Sequence, residues 1–307
     1  MSRAGRHAPP LPTFLVVGAA KSGTTALDLY LRQHPEIAMS RRKEPNFFAF
    51  DERPPSFGGP GDRTILNRDA LWRLDDYLDQ FAHARPGQAV GEVSPRYLDT
   101  PGAAERIRRR IPDVRIVAVL RHPADRAWSH FMMRRRDGFE PCATLEEAIA
   151  DEPRRRRERW ASGRYLERGF YGLQLEEYFR RFPRERIRVY LHDDFVRDPG
   201  GLLRDLFAFL EVDPGAEPDL SARPNRSGEL RNPLLRWAWT RTHPLRGRVR
   251  PLLPKTLRSR VSRWVISRPL ERREIPPETR RWLTGLYTED LRRVEGLLGR
   301  DLSSWLR

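Results

Sequence analysis

Lysine is almost missing from this 307-residue chain: only Lys21, Lys43 and Lys255 occur, against 58 lysines and arginines together. Cysteine is scarcer still. Cys142 stands alone, which excludes an internal disulfide and a cysteine-built zinc cluster. A reducing compartment suits such a chain. No apolar run approaches the ~20 residues that a membrane-spanning helix requires. The opening stretch MSRAGRHAPPLPTFLVVGAA has arginines ahead of a short apolar run, as secretion signals do. Its apolar part runs straight into a glycine loop and serves better as a buried strand, so the expected location is the cytoplasm. What is abundant is charge: 33% of residues are charged and the formal net charge is +16. That balance favours acidic partners, whether nucleotides, anionic glycans, nucleic acid or a membrane surface. Much of the arginine equally reads as plain surface solvation. Lysine among so many arginines marks places where a compact, mobile ammonium is needed and a planar guanidinium does not fit.

Short apolar runs rich in β-branched residues predict buried strands at Phe14–Val17, Ala89–Val93, Val114–Leu120 and Ile187–Leu191. Helical patterns fall at Thr25–Gln33, Asp69–Ala82, Gly102–Arg110, Ala124–Arg135, Gly169–Phe182 and Gly201–Leu210. Alternation of this kind predicts an α/β fold: a central parallel β-sheet like that of the phosphate-loop proteins, flanked by helices, with a helical C-terminal portion. The expected organisation is a loose arm over 1–12 and a single domain over 13–307. Within that domain, 51–68 reads as a Pro/Gly-rich surface loop and 151–168 as a solvated, arginine-dense helix or loop. Residues 223–273 form a basic insert with Trp237, Trp239 and Trp264, either a solvated element or one that touches an anionic surface. An amphipathic helix spans 276–306 with Leu283, Leu286, Tyr287, Leu291, Val294, Leu297 and Leu298 on one face, ending at Gly299.

Ligands of parallel sheets bind at the carboxyl ends of the strands. Two loops begin there. The first, GAAKSGTT, has Gly18 and Gly23 at the spacing of the nucleotide-triphosphatase loop G-x-x-x-x-G-K-[ST], yet Thr24 occupies the lysine position and Lys21 comes two residues before Gly23. Glycines let successive N–H groups curl towards an anion, Thr24 and Thr25 add hydroxyls, and the following helix offers its positive end. The displaced lysine argues against ATP hydrolysis. So does Arg121, which stands at a strand end where a magnesium-binding acid is expected. The second loop, RHPADRAWS, sets Arg121 at a strand tip and Ser129 two turns into the next helix, able to grip one phosphate from two sides.

Together KSGTT and RHPADRAWS resemble the sulfotransferases that use 3′-phosphoadenylylsulfate (PAPS). KEPNFF (43–48), GEVSPRYL (91–98), RGFYGLQLEEYFRRFP (168–183) and GLLGRDLSSWL (296–306) are similar to the glycan-type and bacterial branch. The resemblance implies a relative of the nucleotide kinases that needs no metal and moves a sulfuryl group to a hydroxyl or amine of a saccharide or natural product. Lys21 would stabilise charge on the departing phosphate oxygen, and N–H groups from Ser22 to Thr25, with both threonine hydroxyls, would hold the 5′ phosphate. Arg121 and Ser129 would hold the 3′ phosphate, while Gly169 and Tyr171 match a position that lines the adenine. Glu44 matches the glutamate base of glycan sulfotransferases. Lys43 beside it, Glu92 at a strand end and His34 in QHPEI are further acceptor-side candidates, histidine being the base in cytosolic small-molecule relatives. Val93 stands where many glycan enzymes carry a lysine. Asn225, Arg226 and Ser227 lie in the region of the late Lys-Gly-Arg loop, whose run is not evident. Other classes remain open: a nucleotide kinase or phosphotransferase, or a basic protein binding nucleic acid or an anionic surface. A small-molecule or glycan acceptor is the expected partner and nucleic acid is not. The oligomeric state is not legible.

Overall fold

The computed structural model describes residues 9–50, 52–221, 229–230, 270–271 and 274–306. Lys255, Asn225, Arg226, Ser227 and the three tryptophans of the basic insert lie outside the described residues. The main sheet holds five parallel strands: β1 (Phe14–Gly18), β2 (Ile37–Met39), β3 (Ala89–Val93), β4 (Arg115–Leu120) and β5 (Ile187–Leu191), in the order β2-β3-β1-β4-β5. The expected fold class is borne out.

Strand side chains alternate between two cores because their period is two. Leu15, Val17, Ile116, Ala118 and Leu120 enter one cluster, and Phe14, Val16, Val117 and Val119 the other. The first cluster is covered by α4 (Ala103–Arg110), α5 (Pro123–Arg136), α8 (Tyr171–Phe179) and the C-terminal α11 (Pro277–Leu298). The second is covered by α1 (Thr24–Leu31), α9 (His192–Arg197) through Phe195, and α10 (Pro199–Phe209). Both faces are therefore dry, as continuous apolar strands require.

The strand order has a functional consequence. From the carboxyl end of β1 the chain leaves towards β2 on one side, and from the carboxyl end of β4 it leaves towards β5 on the other. A crevice opens between loops that diverge in this way. The β1–α1 loop and the β4–α5 turn are its two walls.

Several elements depart from expectation. β2 has only three residues, too few to show a period. The stretch 51–68 is not all loop: α2 (Asp62–Asp69) begins after Gly61, whose φ of 78° suits glycine, and buried Asp62 accepts the N–H groups of Gly59 and Ala161 at 3.1 and 2.8 Å. The single helix expected over 69–82 is interrupted. Ala70 is extended (ψ 138°), the Leu71 N–H bonds to the Pro45 carbonyl at 3.4 Å, and helix resumes only as α3 (Leu74–Leu78). Segment 142–157 holds α6 (Leu145–Ala150) and α7 (Glu152–Arg157). The arginines of 151–168 are not merely solvated, since Arg155 and Arg168 are buried. Helix α11 stops at Leu298 with Gly299 in the left-handed conformation (φ 62°), and Ser303–Trp305 forms a separate turn. Leu286, expected on its buried face, points outward. Among the described residues no helix is long and apolar enough to cross a membrane.

Candidate active site

Gly18 closes β1 tightly against Leu98: a Cβ there would come within 2.5 Å of that side chain. Lys21 follows at φ 75° and Gly23 at φ 92°, so the loop turns through left-handed backbone at its tip and again where α1 starts. The Ser22 N–H is used inside the loop, donating to the Ala19 carbonyl at 3.2 Å. That leaves Gly23, Thr24 and Thr25 at the start of α1, where the first N–H groups of a helix have no partner within it. The expected run of donors from Ser22 to Thr25 is shorter by one. Thr24 is buried and Thr25 half-buried.

Across the crevice, α5 is anchored at its first turn. Pro123 occupies the first helical position, and His122 caps the helix by accepting the Ala124 N–H on Nδ1 at 3.2 Å. His122 Nε2 lies 2.9 Å from the Trp305 carbonyl, so the ring donates there, and burial lowers its pKa and keeps it neutral. Trp305 in turn donates from Nε1 to Asp193 at 3.0 Å. The SSW turn after α11 thus fixes the residue next to Arg121.

Arg121 and the first loop meet directly. The guanidinium Nη1 donates to the Lys21 carbonyl at 3.4 Å. Ser129, 8% exposed, lies two turns further along α5. The Lys21 ammonium reaches the same helix, with Nζ 3.3 Å from Met133 Sδ. Burial lowers the Lys21 pKa to about 8. The charges of Arg136 and Arg121 push the same way, against opposing pulls from Asp137 and Glu44. Met133 and Arg136 were not expected from the sequence. Their spacing from Ser129, four and seven residues, places all three on one helix face, and that was the available signal.

Glu44 also reaches this edge. Its N–H bonds to the Val93 carbonyl at 3.1 Å, beside the end of β3, and its backbone is left-handed at φ 60°. The carboxylate is exposed and pairs with Lys43 Nζ at 2.6 Å. Glu92 lies within the same end of the sheet but is fully buried. Its carboxylate accepts from Tyr77, Tyr97 and Ser94, at 2.9, 2.7 and 2.7 Å, and burial pushes its pKa up to about 7. Tyr171, at the start of α8, is buried beside Ser22 and the Arg121 main chain; among the described residues neither its hydroxyl nor the Ser22 hydroxyl makes a well-formed hydrogen bond. Gly169, two residues before it, packs on the Tyr287 ring, which a Cβ would meet at 2.5 Å.

His34 stands apart. It precedes β2, at the amino edge of the sheet, where the neighbouring Glu36 carbonyl pairs with the first residue of β3. Its ring is 3% exposed, contacts the Asp213 carbonyl at 2.9 Å, accepts the Glu36 N–H at 3.1 Å and packs edge-on against Phe207. The structure gathers Lys21, Thr24, Thr25, Arg121, Ser129, Lys43 and Glu44 at one edge and leaves His34 at the other.

Cations and helix-start N–H groups converge here from two strand ends, an arrangement suited to an anion. Comparison with known proteins agrees. Residues 12–214 match the model of the Sulfotransferase family, and the chain belongs to that family. It is similar to the crystal structure of a sulfotransferase from Alicyclobacillus acidocaldarius, with 33% identity and a TM-score of 0.76 over 97% of this chain and 100% of that one. Human bifunctional heparan sulfate N-deacetylase/N-sulfotransferase 3 is 29% identical over 66% of this chain and 23% of its own length. Mouse heparan sulfate glucosamine 3-O-sulfotransferase 3B1 is 28% identical over 67% and 47%. The chain thus spans less than half the length of these two curated relatives.

Proposed function

We propose that this protein transfers a sulfuryl group from PAPS to a hydroxyl or amine of a saccharide or natural-product acceptor. The observation that carries the reading is the contact of Arg121 with the Lys21 loop, which brings two cationic strand ends into one crevice. A donor with a 5′ phosphosulfate and a 3′ phosphate presents two anionic ends to match. Gly23, Thr24, Thr25 and Lys21 would take the first, Arg121 and Ser129 the second. The buried Ser22 and Tyr171 hydroxyls lie behind this junction.

In the transfer, the S–O bond to the donor breaks as the acceptor oxygen or nitrogen attacks sulfur from the opposite side. Negative charge grows on the departing 5′ phosphate oxygen. A half-buried ammonium at Lys21 stabilises that charge where water screens it less than in bulk. The acceptor proton goes to a base, and we assign Glu44. It is exposed, it stands at the strand-end edge, and its charge is felt at Lys21. Glu92 has no such access, and His34 is at the wrong end of the sheet. Sulfotransfer of this kind uses no metal at the site. A cytoplasmic setting and one domain over 13–307 belong to the same reading.

The test is to supply radiolabelled PAPS, and separately γ-labelled ATP with magnesium, to the protein with a panel of unsulfated glycans, amino sugars and phenols. Label should pass from PAPS to at least one acceptor, more slowly for Glu44→Gln at unchanged donor affinity. Transfer from ATP alone would favour the kinase class and overturn the reading.

A further inference from the structure

Glu92 is walled in, yet its carboxylate is not idle. Two of its three donors pass its hold onward. The Ser94 hydroxyl, which donates to Glu92 Oε2, accepts the Asn46 N–H at 3.1 Å, and Asn46 Nδ2 donates to the Glu44 carbonyl at 2.9 Å. The Tyr97 hydroxyl, which donates to Glu92 Oε1, accepts the Phe48 N–H at 3.3 Å. The third donor, the Tyr77 hydroxyl, makes no other hydrogen bond among the described residues, and its ring stacks on Phe47 with centroids 4.5 Å apart. Three hydroxyls thus point inward at one carboxylate, and two of them hold main-chain N–H groups of the segment that follows Glu44.

That segment needs holding. Glu44 and Asn46 are both left-handed, with φ 60° and 58°, a region costly for residues with a Cβ. Such backbone persists only where its surroundings over-determine it. Here the surroundings are the Val93 carbonyl on one side and the Ser94 and Tyr97 hydroxyls on the other. Each hydroxyl has one proton; with both protons directed at Glu92, the oxygen lone pairs are left facing the loop N–H groups. An ionised carboxylate accepts from all three donors; a carboxamide in its place must donate from one side and cannot.

We propose that Glu92 is the positioning residue for Glu44: its carboxylate orients the Ser94 and Tyr97 hydroxyls, which fix residues 44–48 and so the general base at the crevice. This rests on the assignment of Glu44 as base. It also accounts for an acid kept wholly out of water on the side of the sheet that carries Val90, where an apolar residue would pack as well.

The experiment measures release of 3′-phosphoadenosine 5′-phosphate from PAPS with water in the acceptor's place, affinity for that product nucleotide, and amide exchange at Asn46 and Phe48. Glu92→Gln should lower the rate about ten- to a hundred-fold, the scale of a misplaced catalytic group. Nucleotide affinity should stay as in the wild type, while exchange at both amides quickens. Ser94→Ala cuts one relay without touching the carboxylate and should slow the reaction in the same sense, which keeps the test alive if Glu92→Gln folds poorly. Tyr77→Phe removes a donor that leads nowhere and should leave the rate at the wild-type value, a contrast that a purely structural role for the cluster would not give. In a Glu44→Gln background, Glu92→Gln should cost nothing more. Multiplying losses in that double variant would overturn the proposal, because Glu92 would then act on the reaction by another route. A wild-type rate for Glu92→Gln beside a slow Glu44→Gln would overturn it too and leave the base standing. A wild-type rate for Glu44→Gln would overturn both.

Discussion

Two basic regions of this molecule use their cations in opposite ways. Between residues 151 and 168 five of the seven arginines pair with a carboxylate. Arg154 pairs with Asp151 and Glu158 at 2.6 and 2.7 Å, Arg155 with Glu140 and Asp151, both at 2.8 Å, and Arg156 and Arg164 share Glu167. Arg168 holds Asp99 at 3.0 Å. At the crevice, Lys21 makes no ion pair among the described residues, and Arg136 and Arg121 press on it with like charge. The first arrangement spends charge on cohesion. The second leaves the half-buried Lys21 ammonium without an ion pair among the described residues, and like charges held this close carry a cost that an incoming dianion can relieve. A net charge of +16 says nothing of this difference; the pairing does.

Substitutions should separate the two regions cleanly. Lys21→Ala is expected to cost about a hundred- to a thousand-fold in turnover, the usual loss when one stabilising donor leaves a developing oxyanion. Urea denaturation of that variant should show no loss of stability, since a half-buried ammonium with no ion pair among the described residues has been removed. Near-wild-type turnover would refute the role. Arg155→Ala should do the reverse. It strands fully buried Glu140 and should destabilise the fold by about 3–5 kcal/mol, read from the same urea midpoints, while what remains folded keeps its nucleotide affinity. The smallest effect is in pH. Lys21 is charged below about 8 and loses its proton as pH rises through that value. Donor kcat/KM, which reports the free enzyme, should therefore fall about tenfold per pH unit above it. A profile level to pH 10 would contradict the assignment.

Strand ends were the most legible part of the chain. β3 and β5 fall on the residues that their apolar runs predict, and β1 and β4 differ by one. For that reason Lys21 and Arg121, which follow strands directly, could be placed at one edge before any coordinates. Elements set by tertiary contact were not legible. β2 is three residues long and depends on pairing with β3, and the interruption at Ala70 depends on Pro45 from another part of the chain. Helix α6 was an oversight of another kind. Thr144 and Glu147 form a reciprocal capping box with both bonds made, and that signature stands plainly in TLEEA.

The acids show the same boundary within the site. Glu44 and Glu92 both belong to the carboxyl edge by sequence, and neither composition nor motif says which one meets solvent. Strand alternation does offer a hint. Glu92 shares a face with Val90, which enters the core, whereas Glu44 lies beyond the strands in a left-handed turn. What alternation could not reveal was the set of hydroxyls from Tyr77, Ser94 and Tyr97 that makes burial of Glu92 tolerable. His34 was ambiguous for a similar reason: its distance from the crevice follows from the direction of α1 across the sheet, which a motif does not encode.

The claim beneath all of this is that the two strand-end cations serve the two phosphorylated ends of one nucleotide. Calorimetric titration of wild-type protein and Arg121→Ala with 3′-phosphoadenosine 5′-phosphate and with 5′-AMP addresses it without needing an acceptor. The wild type should prefer the doubly phosphorylated nucleotide, and Arg121→Ala should bind both alike because the partner of the 3′ phosphate is gone. An undiminished preference in Arg121→Ala would contradict the account.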